Sequence, residues 1–312
     1  MNQPTADTPE TAETQTSKRR FDVSTPFRPS IQTALGGIAL APVAATTVLR
    51  VIRNGPVTMP EWLGAVFPVV STLAAVTPAL ALAGLGAAVD RRSERVALLA
   101  AAVFPLLAVY GDPAWLPAAA ALVVGGGTTV ALALQRRGFH PGPTAVAAPG
   151  VGALWCSLVA AAGIATVSLQ SFGAVLAFGA LAVLPVARSL DTAGLLAWVA
   201  GTLAVVWLVA SVPFVAGAVT LVAFAAGDVP VVLLAGGVAG ALVVAFASGW
   251  DGDWGVAVGT LLVLAAGAPA SLARGTAAVL GLVVLVARWD GPASDTGGRD
   301  GPTDVTGGDA GA

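Results

Sequence analysis

Charged residues are scarce in this sequence. Only 10% of its 312 residues are charged, whereas 56% are hydrophobic, and the mean hydropathy is +0.86. A soluble domain carries about 25% charged residues, so this chain lacks the polar surface that water requires. Its apolar residues form long uninterrupted runs rather than the alternating pattern of a membrane β-barrel. We therefore predict an all-α fold, that of a polytopic helical integral membrane protein.

Residues that bind metals or carry out catalysis are equally few. The chain has one cysteine, Cys156, and one histidine, His140, so an intrachain disulfide and CxxC zinc motifs are excluded. The Walker A, Rossmann, HExxH and GxSxG fingerprints are absent. No ionisable residue falls clearly near the midpoint of an apolar run. We expect a protein that is not an enzyme, with no cofactor, no bound metal and no nucleic-acid partner.

Lysine is almost absent, since Lys18 is the only one, and most acidic residues are Asp rather than Glu. Together with a pI of about 5.3, this bias suggests a salt-adapted source such as a halophilic archaeon.

Polar tails flank the apolar region. We predict a disordered cytoplasmic tail over 1–30, a transmembrane helical domain over 31–289 and a disordered acidic tail over 290–312. The long polar start argues against a cleaved signal peptide.

Charged and turn-rich breaks divide the apolar region into about ten predicted transmembrane helices, within a range of nine to eleven. The predicted spans are 31–50, 62–89, 96–110, 114–135, 147–168, 172–187, 192–213 or longer, 229–248, 255–272 and 275–288. The uncharged stretch 192–226 is too long for one straight helix across a bilayer. Pro213 either kinks a single span there or separates two spans, and we prefer ten spans to eleven.

Basic residues are distributed unevenly between the two ends of the predicted spans. With the N-terminus in the cytoplasm, eleven basic residues flank the cytoplasmic ends, against Arg50, Arg53 and Arg274 on the opposite side. The positive-inside rule predicts this asymmetry. We expect a multi-pass protein of the plasma membrane with both termini in the cytoplasm.

The segment GWDGDWG, Gly249 to Gly255, carries two carboxylates separated by one glycine. Asp251 and Asp253 supply too few oxygen ligands for a calcium site. The flanking residues Trp250 and Trp254 are typical of the aromatic belts that anchor helix ends at the membrane interface. We favour a turn with interfacial anchors over a metal site.

Three glycines and two threonines inside the fourth predicted span form the first candidate solute pathway. These are Gly125, Gly126, Gly127, Thr128 and Thr129. Freed carbonyls beside hydroxyls are how transporters with broken helices build uncharged binding sites. The alternative is close helix packing by small residues, which is common in membranes and which we favour.

Asp228 completes the candidate pathway. It lies between Gly227 and Pro230, a pattern that predicts a turn. If the preceding segment re-enters the membrane instead, the carboxylate of Asp228 becomes the best candidate for an ion or proton site. We favour the turn, because placing a carboxylate in hydrocarbon is costly.

Ten spans divide into halves of five, and the fourth spans align at Gly127-Thr128 and Gly259-Thr260. An odd number of spans per half predicts a 5+5 inverted repeat. In layout, size and short loops the chain resembles the drug/metabolite-type permeases. That resemblance is one of topology across the apolar region, and it implies a ten-span secondary transporter with both ends in the cytoplasm.

Two functions fit these features. The first is a permease, or secondary transporter, for a small neutral or weakly polar solute. The second is a non-catalytic membrane-embedded subunit or scaffold of a larger complex. The expected partners are membrane lipid and a small solute, with partner subunits or further copies of the chain in the second case.

Overall fold

The computed structural model describes residues 30–55, 60–109, 111, 114–164, 167–213, 224 and 226–289. The two tails predicted to be disordered lie outside these residues, except for Ser30. Within the described residues the structure is helical and contains no strand, as predicted.

Ten helices follow one another along the described chain, in the order of the ten predicted spans. They are α1 Ile31–Asn54, α2 Glu61–Ala88, α3 Arg92–Ala108, α4 Trp115–Arg136, α5 Pro141–Ala161, α6 Val167–Ala187, α7 Thr192–Ser211, α8 Val231–Trp250, α9 Trp254–Ala266 and α10 Leu272–Ala287. Seven of them are long and apolar enough to cross a membrane, whereas α3, α9 and α10 are shorter. The choice between ten and eleven spans depends on residues 214–223, which lie outside the described part of the chain.

Three helices, α3, α5 and α6, begin at least four residues earlier than predicted. Helix α5 starts at Pro141 rather than at residue 147, because proline at the first helical position needs no hydrogen bond for its missing N–H. Helix α3 starts at Arg92 rather than at residue 96, with Arg91 at its N-cap. The earlier start of α3 places Glu94 in the first turn of the helix instead of in a loop.

Helix α10 is the centre of the bundle. Every residue from Arg274 to Val286 is buried, and the helix contacts α1, α2, α3, α4, α5 and α9. Small residues permit this dense packing. A Cβ atom at Gly259 of α9 would lie 2.7 Å from the backbone nitrogen of Leu285, so the two helices touch at the level of their backbones.

Helix α7 lies at the periphery. Val209 is its only buried residue, and Leu196, Leu203 and Trp207 are among its exposed side chains. It is attached mainly to α8, where the indole Nε1–H of Trp198 donates to the carbonyl oxygen of Gly236 at 2.9 Å. In a bilayer, lipid or a partner protein covers this apolar surface.

A π-helical turn interrupts α4 at Leu122–Gly126, between the α-helical segments Trp115–Ala121 and Gly127–Arg136. Such a turn contains one residue more than the α-helical turn it replaces. Gly125 and Gly126 are the last two residues of this turn, and Gly127 is the first residue of the α-helical segment that follows it.

The GWDGDWG segment forms the turn between α8 and α9. Gly252 has a φ of 82°, a left-handed conformation that favours glycine. Trp250 is 82% exposed and Trp254 is also exposed, so both are placed to contact the membrane interface. Asp253 forms an ion pair with Arg188 at the end of α6, with 3.2 Å between Oδ2 and Nη2.

Candidate functional site

The glycine triplet brings α4 into close contact with its neighbours. A Cβ atom at Gly125 would lie 2.6 Å from the carbonyl oxygen of Ala97 in α3, and one at Gly126 would lie 2.6 Å from Cγ2 of Val279 in α10. Gly127 has more room, since its nearest neighbour is Cγ1 of Val151 at 3.4 Å. Both glycines therefore lie at close helix contacts. At Gly125 helix α4 packs against the backbone of α3, and at Gly126 it packs against a side chain of α10.

The two threonines that follow the triplet lie on different faces of α4. Thr129 is fully buried, and its hydroxyl donates to the carbonyl oxygen of Gly125 at 2.7 Å. Thr128 is exposed on the outside of the bundle. The structure therefore buries Gly125, Gly126 and Thr129 inside the bundle and places Thr128 on its outside.

Asp228 lies in an exposed turn before α8. Gly227 has a φ of 56° there, and the backbone N–H of Val229 donates to the carbonyl oxygen of Ala226 at 3.3 Å. Asp228 therefore lies in the turn that the sequence favoured. It lines neither the cavity that contains Glu94 nor the one that contains Arg274.

A cavity of about 250 Å³ opens at the end of the bundle where α1 begins. We call it the Glu94 cavity. Its lining residues are Gln32, Leu85, Val89, Glu94, Leu98, Ala133, Arg136, Arg137, Val283 and Ala287. Helix α4 reaches this cavity along the face that carries Thr129, because Ala133 follows Thr129 by four residues.

The carboxylate of Glu94 is the most buried ionisable group of this cavity. Its side chain is 5% exposed, and Oε1 accepts a hydrogen bond from Nη2 of Arg136, whose own side chain is 41% exposed. Its other oxygen, Oε2, is buried without a hydrogen-bond partner among the described residues. The N-terminus of α3 stabilises a negative charge in its first turn, which is where Glu94 lies.

Arginines fasten this end of the bundle to the end of α10. The guanidinium of Arg137 donates to the carbonyl oxygens of Ala287 and Trp289. The indole of Trp289 is buried, and the guanidinium of Arg188 lies 5.4 Å from the centre of the ring. These contacts hold the C-terminal ends of α4 and α6 against the C-terminal end of α10.

A second cavity, of about 480 Å³, lies at the opposite end of the bundle. We call it the arginine cavity, and its lining residues are Arg50, Arg53, Asn54, Phe67, Ala270, Ser271 and Arg274. A smaller cavity of about 30 Å³ adjoins it, lined by Arg50 and Arg274 together with Thr46, Thr47 and Ser71 among others. The residues that line the Glu94 cavity thus include a carboxylate and two arginines, whereas those that line the arginine cavity include three arginines and no carboxylate.

Metal-binding clusters are absent from the part of the chain that the structure describes, where no three His, Cys, Asp or Glu side chains come together. Cys156 is buried in α5, and His140 is exposed at the N-cap of the same helix. The described residues therefore offer no constellation that would hold a metal ion.

The sequence model of an integral membrane family of unknown function, DUF8068, matches residues 32–286. The chain belongs to this family. It is accordingly an integral, multi-pass membrane protein. The match extends from the first turn of α1 to the last turn of α10, so the family model covers the whole helical region of this chain. No curated protein and no solved structure matches the chain.

Glu94 is the residue that the sequence interpretation missed. The predicted span 96–110 leaves Glu94 in the loop before it, because Asp90, Arg91, Arg92 and Arg95 surround Glu94 in the sequence. One signal pointed the other way: an acidic residue in the first turn of a helix is favourable, which is typical of a start before Glu94 rather than after it. Its partner Arg136 is 42 residues away, a separation that no local pattern reveals.

Proposed function

We propose that this protein is a permease, a secondary transporter for a small neutral or weakly polar solute, and that the Glu94 cavity binds the solute. The observation that carries the proposal is the buried Oε2 atom of Glu94, which accepts no hydrogen bond among the described residues. A buried polar atom without a partner costs about 1–3 kcal/mol, and more if it is charged. A solute that donates a hydrogen bond to Oε2 offsets this cost.

The walls of the cavity select for a small molecule. Leu85, Leu98 and Val283 provide apolar surface, and Gln32 and Glu94 provide polar groups. Binding sites for small molecules are generally apolar with a few well-placed polar groups. A volume of about 250 Å³ is smaller than most sites for drug-sized ligands, so the solute class is that of small hydroxyl, amide or amine compounds.

The ion pair between Arg136 and Glu94 supplies a means of opening the site. Arg136 lies on the solvent side of the buried carboxylate, so a solute that reaches Oε2 passes the exposed guanidinium. Between the two cavities the bundle is closed by α10, whose residues are buried without interruption. A site open to one side and closed towards the other is the arrangement that alternating access requires.

The uneven distribution of basic residues supports an orientation. Arg91, Arg92 and Arg95 precede or begin α3 at the Glu94 cavity, and Arg136 and Arg137 end α4 there. By the positive-inside rule this end faces the cytoplasm of a plasma membrane, with both termini on that side. The proposed binding site then opens to the cytoplasm.

Glu94→Gln tests the proposal against a matched control. Glu61 also lies in the first turn of a helix but is exposed and lines no part of the cavity, so Glu61→Gln makes the same chemical change elsewhere. Purified protein is screened by thermal shift against small polyols, amides and amines, and compounds that stabilise it are tested for uptake into liposomes. We expect Glu94→Gln to lower uptake by about tenfold or more, because a hydrogen bond to a charged group contributes about 1.5–3 kcal/mol.

Two results would contradict the proposal. One is a screen in which no compound stabilises the wild type more than Glu94→Gln. The other is uptake that Glu94→Gln and Glu61→Gln leave equally unchanged. Thr128→Val and Asp228→Asn test the pathway predicted from the sequence, and that pathway is wrong if both variants match the wild type in uptake.

A second function, that of a non-catalytic membrane-embedded subunit or scaffold, is favoured by the surface of α7. Its exposed side chains include Leu196, Leu203 and Trp207, and only Val209 is buried. If a partner helix lies along α7, a photoactivatable crosslinker at the position of Leu203 should attach the chain to a second protein in native membranes, whereas contact with lipid alone gives no protein adduct.

A further inference from the structure

Two side chains of opposite charge lie next to each other in the Glu94 cavity. Oε1 of Glu94 accepts a hydrogen bond from Nη2 of Arg136, and both residues line the cavity. They come from different helices, because Glu94 lies in the first turn of α3 and Arg136 is the last residue of α4. The cavity therefore offers a solute one negative and one positive group at adjacent positions.

The two charged groups differ in burial. The side chain of Glu94 is 5% exposed, whereas that of Arg136 is 41% exposed. Oε2 of Glu94 accepts no hydrogen bond among the described residues, so an acceptor remains on the buried side of the pair. Arg136 donates from Nη2 to Glu94 and from Nε to the carbonyl oxygen of Leu132 at 3.4 Å. A guanidinium has more N–H donors than these two contacts use, so donors remain on the exposed side of the pair.

The charges that line the cavity disfavour a solute with a charge of only one sign. The other polar side chains of the lining are Arg137, which donates to the carbonyl oxygens of Ala287 and Trp289, and the uncharged Gln32. A purely cationic solute would meet two guanidinium groups, and a purely anionic solute would meet the carboxylate of Glu94. Charges of the same sign repel each other more strongly away from water, so both kinds of solute have an unfavourable contact.

A solute that carries both charges avoids this repulsion. Its ammonium group can donate to Oε2 of Glu94 while its carboxylate accepts from the guanidinium of Arg136. Hydrogen bonds between charged groups are stronger than those between neutral groups, and the planar guanidinium fits the two oxygens of a carboxylate. The apolar side chains of Leu85, Leu98 and Val283 complete the wall for a carbon chain between the two charges.

We propose that the solute of the Glu94 cavity is a small zwitterion, a molecule with one ammonium group and one carboxylate group. This inference rests on the proposed function and names the chemical class of its solute. A zwitterion has no net charge, which agrees with the neutral solute of that function. The ammonium group lies at the buried Oε2 of Glu94, and the carboxylate lies towards solvent at Arg136. A volume of about 250 Å³ restricts the solute to a short carbon chain.

The test compares the binding of solutes of similar size and different charge to the purified full-length protein. Binding is measured by isothermal titration calorimetry at constant ionic strength. The zwitterions are alanine, β-alanine and γ-aminobutyrate, which differ in the number of carbon atoms between the charged groups. The comparison solutes are propylamine, a cation, propanoate, an anion, and propanamide, which is uncharged. We expect at least one zwitterion to bind about tenfold or more tightly than each comparison solute.

Arg136→Gln tests whether Arg136 binds the carboxylate of the solute. The change removes one positive charge and leaves Glu94 in place, so we expect the preference to move from the zwitterion to propylamine by about tenfold or more. Arg136→Lys keeps the charge and should keep the preference for the zwitterion. Arg92→Gln is the control, because Arg92 is exposed in the first turn of α3 and does not line the cavity. A purely structural role of Arg136 would weaken the binding of all solutes alike.

The proposal is overturned if no zwitterion binds, or if a comparison solute binds the wild type as tightly as the best zwitterion. It is also overturned if Arg136→Gln keeps the same preference for zwitterions as Arg92→Gln. If Arg136→Gln does not fold, the comparison on the wild-type protein decides alone. Uptake of propylamine or propanamide that depends on Glu94 would overturn only the zwitterion and keep the proposed function. The proposed function itself fails if Glu94→Gln leaves the uptake of every solute unchanged.

Discussion

Replacing Gly125 with alanine tests whether the glycine triplet of α4 serves helix packing. The added Cβ atom would lie 2.6 Å from the carbonyl oxygen of Ala97 and 3.4 Å from Cβ of Ala101. Contacts of a real Cβ atom essentially never fall below 3.0 Å, so α3 and α4 must separate by a few tenths of an ångström. The carbonyl of Ala97 belongs to the backbone of α3 and cannot rotate away as a side chain can.

The expected cost follows from two opposing effects. Overpacking a well-packed contact destabilises a protein by about 1–3 kcal/mol. Alanine is favoured over glycine in a helix by up to about 1 kcal/mol. We therefore expect Gly125→Ala to lower the free energy of unfolding by about 1–2 kcal/mol. Gly127→Ala is the matched control, because its nearest neighbour at 3.4 Å leaves room for a methyl group.

The assay is unfolding of the purified protein by titration with sodium dodecyl sulfate, followed by circular dichroism. A loss of 1–2 kcal/mol changes the ratio of folded to unfolded protein by a factor of about 5–30. Gly127→Ala should be as stable as the wild type or slightly more stable. If Gly125→Ala is no less stable than Gly127→Ala, α4 does not press against α3 at this point. The pathway interpretation of the triplet then gains support, because a methyl group in an open path costs little stability.

Two further predictions concern the attachment of α7 and the orientation of the chain. Trp198→Phe removes the indole N–H that donates to α8, and we expect a loss of about 1 kcal/mol in stability, while the exposed Trp207→Phe has no such effect. In a Cys156→Ala background, Asn54→Cys should react with a membrane-impermeant maleimide in intact cells and Arg91→Cys should react only after lysis. Labelling of both from the same side would refute the proposed topology.

The order of the ten helices in the described residues could be predicted from the sequence, because composition identifies segments that avoid water. The predicted first and last residues of the helices were less accurate than their order. Helix α5 begins at Pro141, a residue that looks like a loop signal but is well suited to the first position of a helix. A few residues gained at such a boundary decide whether a charged group such as Glu94 belongs to a helix or to a loop.

The position of each helix in the bundle could not be predicted in the same way. Helices α7 and α10 are both rich in Ala, Val, Leu and Gly, yet α7 is almost entirely exposed and α10 is almost entirely buried. In water, an amphipathic pattern would separate these cases. Lipid tails are as apolar as leucine, so a lipid-facing helix and a central one carry the same kind of sequence.

The candidate site was predictable only in part. Sequence reasoning favoured close packing for the glycine triplet, and Gly125 and Gly126 do pack closely against α3 and α10. The alternative, a pathway lined by the hydroxyls of Thr128 and Thr129, requires both on one face of α4, but they lie on different faces. The pair of Glu94 and Arg136 depends on two helix ends meeting at one level of the membrane. That meeting is a property of tertiary packing, because neither residue lies near the other in the chain.

The π turn in α4 determines which way the last part of that helix faces. One residue corresponds to about 100° of rotation in an α-helix. If the residues Leu122–Gly126 were regular α-helix instead, the segment from Gly127 to Arg136 would be turned by roughly that angle about the helix axis. Arg136 would then point away from Glu94, and Ala133 would leave the wall beside it. The π turn absorbs one residue in mid-helix and so keeps a charge pair that lies more than two turns further along on the same side of the bundle.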